Sequence, residues 1–231
     1  MASSKLKTNL DSVRQSISEF ELRYGRKMND VCLIAVSKTR NCDEILELVE
    51  GGQIHFGENY LQEAVDKIAN ITDKELIWHF IGPIQKNKTK QIAEYFSWVH
   101  SIDRAIIATR LNDQRTDSKP PLNVCIQVNI DMESTKSGVE PTDLAELAST
   151  IQQLPNLTLR GLMAIPSTKA TFEAQCVSFK KLAEEFNLLK KHHPDVDTLS
   201  MGMSNDYEAA IACGSTMVRI GTALFGPRNY S

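Results

Sequence analysis

The chain repeats one unit from end to end: a short apolar run, a turn carrying Gly, Asn, Ser or Asp, then an amphipathic stretch. About eight such units, roughly 29 residues apiece, fill the 231 residues. Strict alternation of strand and helix requires parallel strands joined by right-handed crossovers. Eight of them closed on themselves make a (β/α)8 TIM barrel, typically about 250 residues long. An open doubly wound sheet is the runner-up. It usually has fewer strands, and no G-x-G-x-x-G follows the first strand here. No Pro-, Gly- or Ser-rich linker divides the chain, so residues 1–231 read as one domain.

The first strand is the clearest. Val31 to Val36 are apolar without a break. A strand with one wet face would alternate, so both faces of this one are expected to be covered, as in a parallel sheet. Ahead of it, Leu6, Leu10, Val13, Ile17, Phe20 and Tyr24 fall on one helical stripe closed by Gly25. This extra N-terminal helix, within residues 1–25, is expected to plug the floor of the barrel or cover its side. Asn41 or Asp43 should cap the next helix. Further strands are expected at 53–56, 76–81, 97–100, 122–130, 157–165, 199–203 and 217–220. Phe172, Cys176, Phe179, Leu182, Phe186 and Leu189 line a long helix that must end before Pro194. A helix at 205–213 is expected to start at an N-cap Ser204 or Asn205, with Asn205 and Glu208 fitting a capping box.

A composition of 42% hydrophobic residues suffices for a sizeable core. The net charge is -3 with both signs interspersed, which calls for neither nucleic acid nor an anionic membrane. Five cysteines without a C-x-x-C indicate neither a disulfide framework nor a zinc site. No stretch approaches the roughly 20 apolar residues of a membrane span. The first residues lack the apolar segment of a signal peptide, so a reducing cytoplasm is expected.

Barrel chemistry gathers at the C-terminal ends of the strands. Those positions here are Lys38, Asn59, Gly82, Ser101, Asn129, Met163, Ser204 and Gly221-Thr222. Lys38 alone is a lysine placed immediately at a strand end. A partly desolvated lysine has a lowered pKa and attacks carbonyls as the neutral amine. Loops after strands 7 and 8 of barrels frequently bind phosphate, and Ser204, Gly221 and Thr222 supply hydroxyls and close backbone approach there. A phosphorylated carbonyl compound held through an imine fits both features. His55, His79 and His100 lie near strand ends or interiors with no carboxylate at a ligand spacing. They read as satisfied core or rim histidines, with no metal. Lys86, Lys88 and Lys90 read as a solvated face, and Lys136 as bordering the pocket.

Ala35-Val-Ser-Lys38, His55-Phe-Gly-Glu-Asn-Tyr60, Trp78-His-Phe-Ile-Gly82, Gln85-Lys-Asn-Lys88, Ser134-Thr-Lys-Ser-Gly138, Gly161-Leu-Met163, Leu199-Ser-Met-Gly-Met-Ser204 and Val218-Arg-Ile-Gly-Thr222 appear in order. Together they resemble the pyridoxal 5′-phosphate (PLP) homeostasis proteins over essentially the whole chain. The resemblance implies a barrel like the N-terminal domain of alanine racemase. It implies that Lys38 forms a Schiff base, the internal aldimine, with PLP. Ser204, Gly221 and Thr222 would hold the phosphate, Arg219 would face the pyridine nitrogen, and Asn59, Ile81 and Gly82 would line the ring. It further implies a cytoplasmic monomer that buffers or delivers PLP to apo PLP-dependent enzymes, with little or no catalysis. The alternatives are a PLP-dependent amino-acid racemase or lyase, and a barrel aldolase.

Racemisation needs an acid/base group on each face of the Cα carbanion. Lys38 serves one. In the racemases this barrel resembles, the second is a tyrosine from an added C-terminal domain, which a chain ending ten residues after Gly221 is expected to lack. Tyr60 and Tyr207 both fall on expected helix starts. Little or no racemase activity is therefore expected. Solvent deuterium exchange at Cα of alanine and serine, followed by chiral analysis, checks this. Turnover of about 1 per second or faster would promote the racemase.

Overall fold

The computed structural model describes residues 4–71, 76–133 and 135–227. Ser134 of the Ser134–Gly138 motif lies outside them. The expected alternation is realised in full. Strands β1 (Cys32–Val36), β2 (His55–Glu58), β3 (Ile77–Phe80), β4 (Trp98–Ile102), β5 (Leu122–Gln127), β6 (Leu157–Met163), β7 (Thr198–Ser200) and β8 (Met217–Ile220) are parallel neighbours in chain order. Pairing of β8 with β1 closes the barrel and excludes the open sheet.

Nine α-helices are found among the described residues. Helix α1 (Lys5–Arg23) precedes the barrel. Helices α2 (Cys42–Glu50), α3 (Leu61–Asn70), α4 (Thr89–Tyr95), α5 (Ala105–Gln114), α6 (Leu144–Gln152), α7 (Phe172–His192) and α8 (Tyr207–Ala212) join successive strands, and α9 (Thr222–Phe225) follows β8. Asn41 caps α2 in a reciprocal capping box with Glu44, as the sequence implies. Helix α1 packs on α2, α8 and α9, so it covers the side of the barrel, and its Arg14, Ile17 and Glu21 also border a cleft beside the strand starts at Cys32 and His55.

The unbroken run of β1 now has its reason. Leu33 and Ala35 face the helix layer, in the larger apolar cluster. Ile34 faces the barrel interior, in a second cluster with Trp98, Cys125, Met163 and Met217. Period-2 alternation therefore sorts β1 into two dry environments rather than one dry and one wet.

Several strand bounds differ from expectation, each for a local reason. Strand β2 starts two residues later and runs through Gly57, because a Cβ there would meet Ile34 and Ile81 at 3.0 and 3.1 Å. The glycine is a packing residue within the strand, not its terminator. Strand β7 stops at Ser200 because Gly202 takes φ +96, outside the β region. Strand β5 ends at Gln127, and Val128 makes a separate bridge to Val139.

Strand β6 carries a bulge. Val124 pairs with Leu159 and Cys125 with Gly161, so Arg160 is the extra residue. Its carbonyl accepts from Asp197 N, its side chain pairs with Asp197, and its guanidinium lies over the Trp98 ring at 4.9 Å. Gly161 sits at φ +149, where a Cβ would lie 1.9 Å from the Thr198 carbonyl oxygen. Gly161→Ala should therefore destabilise the barrel by at least about 2 kcal/mol. A lowered urea midpoint checks this; an unchanged midpoint would show that the bulge relaxes without cost.

Candidate functional site

Closing β8 onto β1 places the strand ends that flank the seam side by side. They open onto a cavity of about 250 Å³ at the C-terminal mouth. This is a little below the range of roughly 300–1,000 Å³ usual for small-molecule sites. Lys38, Asn59, Ile81, Ser204, Arg219, Gly221 and Thr222 all line it. Gly82 does not, but it builds the wall: a Cβ there would lie 2.3 Å from the Asn59 carbonyl oxygen, so only glycine lets Asn59 stand where it does. The Gly82 carbonyl in turn accepts from Ser101 Oγ at 2.5 Å.

Three strand-end positions go elsewhere. Ser101 lies inside β4, Met163 is fully buried at the end of β6, and Asn129 closes its own loop through hydrogen bonds with Glu133. Lys136 reaches the carbonyl of Ile165, a lining residue, without lining the cavity itself. The expected caps of α8 also differ. Asp206 is its N-cap residue, and the Asp206 carboxylate accepts from Met203 N at 2.6 Å. Glu208 turns away to Arg23 and Tyr24. Ser204 is thereby free of α8. Its hydroxyl accepts from Ala223 N at 3.2 Å, in the first turn of α9, and so ties the loop after β7 to the turn after β8.

The cavity's charge is mostly positive. Lys38, Lys169 and Arg219 line it with one carboxyl, Asp206, whose pKa burial pushes up. An anionic ligand is the electrostatic fit. Arg219 is 3% exposed; burial draws its pKa down to about 10, so it remains a cation at neutral pH. Its Nη1 donates to Ser200 Oγ at 2.7 Å and its Nη2 to the Ala164 carbonyl at 2.9 Å. Asn59 Oδ1 is buried without a hydrogen-bond partner, an acceptor left for a ligand.

With that geometry in place, likeness to known proteins becomes specific. Residues 6–229 match the family model "Alanine racemase, N-terminal domain". The chain is 53% identical over 226 residues to the pyridoxal phosphate homeostasis protein of Escherichia coli K12, covering 96% of this chain and 97% of that one. The chain belongs to the pyridoxal phosphate homeostasis proteins. The Pseudomonas aeruginosa member is also 53% identical, over 98% of this chain and 97% of its own. Among solved structures, PipY of Synechococcus elongatus PCC7942 is 34% identical and covers 96% of this chain and 100% of its own. Its TM-score is 0.87 without PLP and 0.84 with PLP bound.

Bonds outside these motifs hold the Lys38 turn in place. Lys38 sits between two anchored residues. Lys67 Nζ donates to the Ser37 carbonyl at 2.7 Å, to Glu58 Oε1 at 2.7 Å and to Glu63 Oε1 at 2.5 Å. Ser37 Oγ donates to Glu58, and Thr39 N donates to Glu63 Oε1 at 2.5 Å. Thr39 is held at φ +65, an uncommon setting for a threonine. Burial pushes the Glu58 carboxyl up, and the Lys67 ammonium and Ser37 hydroxyl oppose that shift. The Glu63–Lys67 spacing of four was a legible helical pair. Nothing in sequence spacing could have joined either to Glu58.

The histidines are satisfied, by one another. His55 Nδ1 lies 2.9 Å from His79 Nε2, His79 Nδ1 2.9 Å from His100 Nε2, and His100 Nδ1 2.8 Å from Ser200 Oγ. Burial holds all three below the ordinary imidazole pKa. His79 is lowered further by its two neighbours, and His100, also facing Arg219, reaches about 3.

Unfolded imidazoles, with pKa about 6.5, take up protons that the folded ones refuse. The stability these histidines contribute is thus complete above that value and lost as pH falls through it. Each adds a slope of up to about 1.4 kcal/mol per pH unit. Urea midpoints measured from pH 7.5 to 5.5 should fall steadily; a flat profile would show that the imidazoles protonate without cost in the fold.

Proposed function

We propose that this chain binds PLP in the mouth cavity, joined to Lys38 as a Schiff base, and serves intracellular PLP homeostasis by buffering or delivery. One observation carries the reading. A lysine, a buried arginine and the Ser204/Gly221/Thr222 turn line a single cation-rich cavity in a chain 34% identical to PipY, which has been solved with PLP bound. The residues fit the group. Ser204, Gly221 and Thr222 suit a phosphate, Lys38 an aldehyde, and Arg219 a ring nitrogen, and Asn59 offers its unpartnered oxygen. When bound, the cofactor supplies a conjugated, electron-accepting ring.

The chain's own groups favour holding over turnover. Arg219 can donate to a ring nitrogen but cannot accept its proton, so that nitrogen stays neutral, a weaker electron sink than a pyridinium beside a carboxylate. No tyrosine is found among the described residues lining the cavity. Tyr60 is 53% exposed, and Tyr207 packs on Phe20 with ring centroids 5.5 Å apart. A second acid/base group opposite Lys38 is the element a racemase would need. A cytoplasmic monomer handing PLP to apo-enzymes completes the proposal. No helix among the described residues is long and apolar enough to cross a membrane, in keeping with that part.

Titration with PLP should give the visible absorption of a lysine-bound aldehyde. Borohydride reduction and peptide mapping should place the pyridoxyl group on Lys38. Lys38→Ala should remove the band while retaining some non-covalent binding. Attachment at another lysine would overturn the assignment.

A further inference from the structure

A hydrogen-bonded column runs the length of the barrel interior, from Arg219 through Ser200, His100 and His79 to His55. His79, His100 and Ser200 are fully buried. His55 is partly exposed and borders a cleft at the opposite end of the barrel, beside Cys32, Gln53 and Ile54. One end of the column therefore lies at the mouth cavity and the other reaches the floor.

The direction of the column follows from what each group can do. A guanidinium only donates, so Arg219 occupies a lone pair of Ser200 Oγ. If His100 Nδ1 also donated to that oxygen, the serine proton would be left in a fully buried place without its one nearby acceptor. An unsatisfied buried donor costs more than an ordinary hydrogen bond gains. Ser200 therefore donates to His100 Nδ1. His100 then carries its proton on Nε2 and donates to His79 Nδ1. His79, protonated on Nε2, donates to His55 Nδ1, and His55 presents Nε2–H to the floor. All three rings are neutral Nε2–H tautomers whose lone pairs point toward Arg219.

We propose that His55, His79 and His100 act as a neutral counter-ion for Arg219. They are positioning residues that stabilise its buried charge by aligned dipoles instead of a carboxylate. Two further observations support this. Besides His100, the titratable groups acting on Arg219 are Asp206 and Cys125, and neither of these is its hydrogen-bond partner. Desolvation also keeps the column neutral: His79 and His100 are held far below neutrality, and the Cys125 thiol is pushed up to about 12. A carboxylate paired to Arg219 would consume its fork of donors. A column bound through one nitrogen leaves donors for an acceptor in the cavity. The identity of that acceptor as a pyridine nitrogen rests on the PLP reading; the tautomer pattern does not.

Long-range ¹H–¹⁵N spectra of histidine-labelled protein, unloaded and with PLP, test the column directly. The expected result is Nε2–H on His55, His79 and His100, with His79 and His100 neutral from pH 7.5 to 5.5. A proton on Nδ1 of His79 or His100, or a charged ring there, overturns the proposal. His79→Leu cuts the column between His100 and His55. It should weaken PLP binding about tenfold and shift the absorption of the bound cofactor. A folded His79→Leu protein with unchanged affinity and spectrum would also overturn it. If that variant does not fold, the wild-type spectra decide. A wild-type protein that takes up no PLP overturns the cofactor reading instead, and the unloaded spectra still judge the column.

Discussion

The site depends on the seam. Cys32 pairs with Met217, Leu33 with Val218, Ile34 with Arg219 and Ala35 with Ile220, and this ladder joins the first strand to the last. It brings residues 38 and 219–222, far apart in sequence, to one rim. The ladder is also what makes the structure a closed barrel, so the geometry of the cavity and the topology of the fold are one constraint. Each ladder bond is worth only about 1 kcal/mol net. The pairing holds because both its faces are dry, with Leu33, Ala35, Val218 and Ile220 toward the helices and Ile34 and Met217 toward the interior.

Much of this was legible in the sequence, and the reason is local. Helix α1 announced itself by its stripe, α2 by Asn41, α7 by its apolar face and Pro194, and β1 by its run of apolar residues. Lys38, Asn59, Ser204, Gly221 and Thr222 could be placed at one mouth because strand ends in a barrel converge whatever their spacing, whereas Ile81 and Arg219 came from the family resemblance. What failed was the reading of glycine and of polar side chains. Gly57 resembled a strand terminator and is a packing position; Asn205 and Glu208 resembled a capping box, but Glu208 pairs with Arg23 and Tyr24. The Glu58–Lys67 pair and the His55–His79–His100 series join residues nine, 24 and 21 positions apart across neighbouring elements. No one-dimensional period encodes such contacts, because they exist only once strands stand side by side.

The barrel interior is correspondingly unusual. A core filled by branched aliphatics would be simpler to pack, yet this one holds Arg219, Ser200, His79 and His100 beside Ile34, Trp98, Cys125, Met163 and Met217. Buried polar groups are tolerated when each finds a partner. Here the partners are supplied in series, so the polar column satisfies itself without help from the helix layer.

The bracing around Lys38 sets the form of the cavity rim. Lys67 and Glu63 belong to α3 and Glu58 to β2, and together they fix the backbone on both sides of the lysine by bonds made entirely within the protein. A socket shaped by its own scaffold needs no occupant to keep its form. Whatever enters the cavity meets backbone already set on both sides of Lys38.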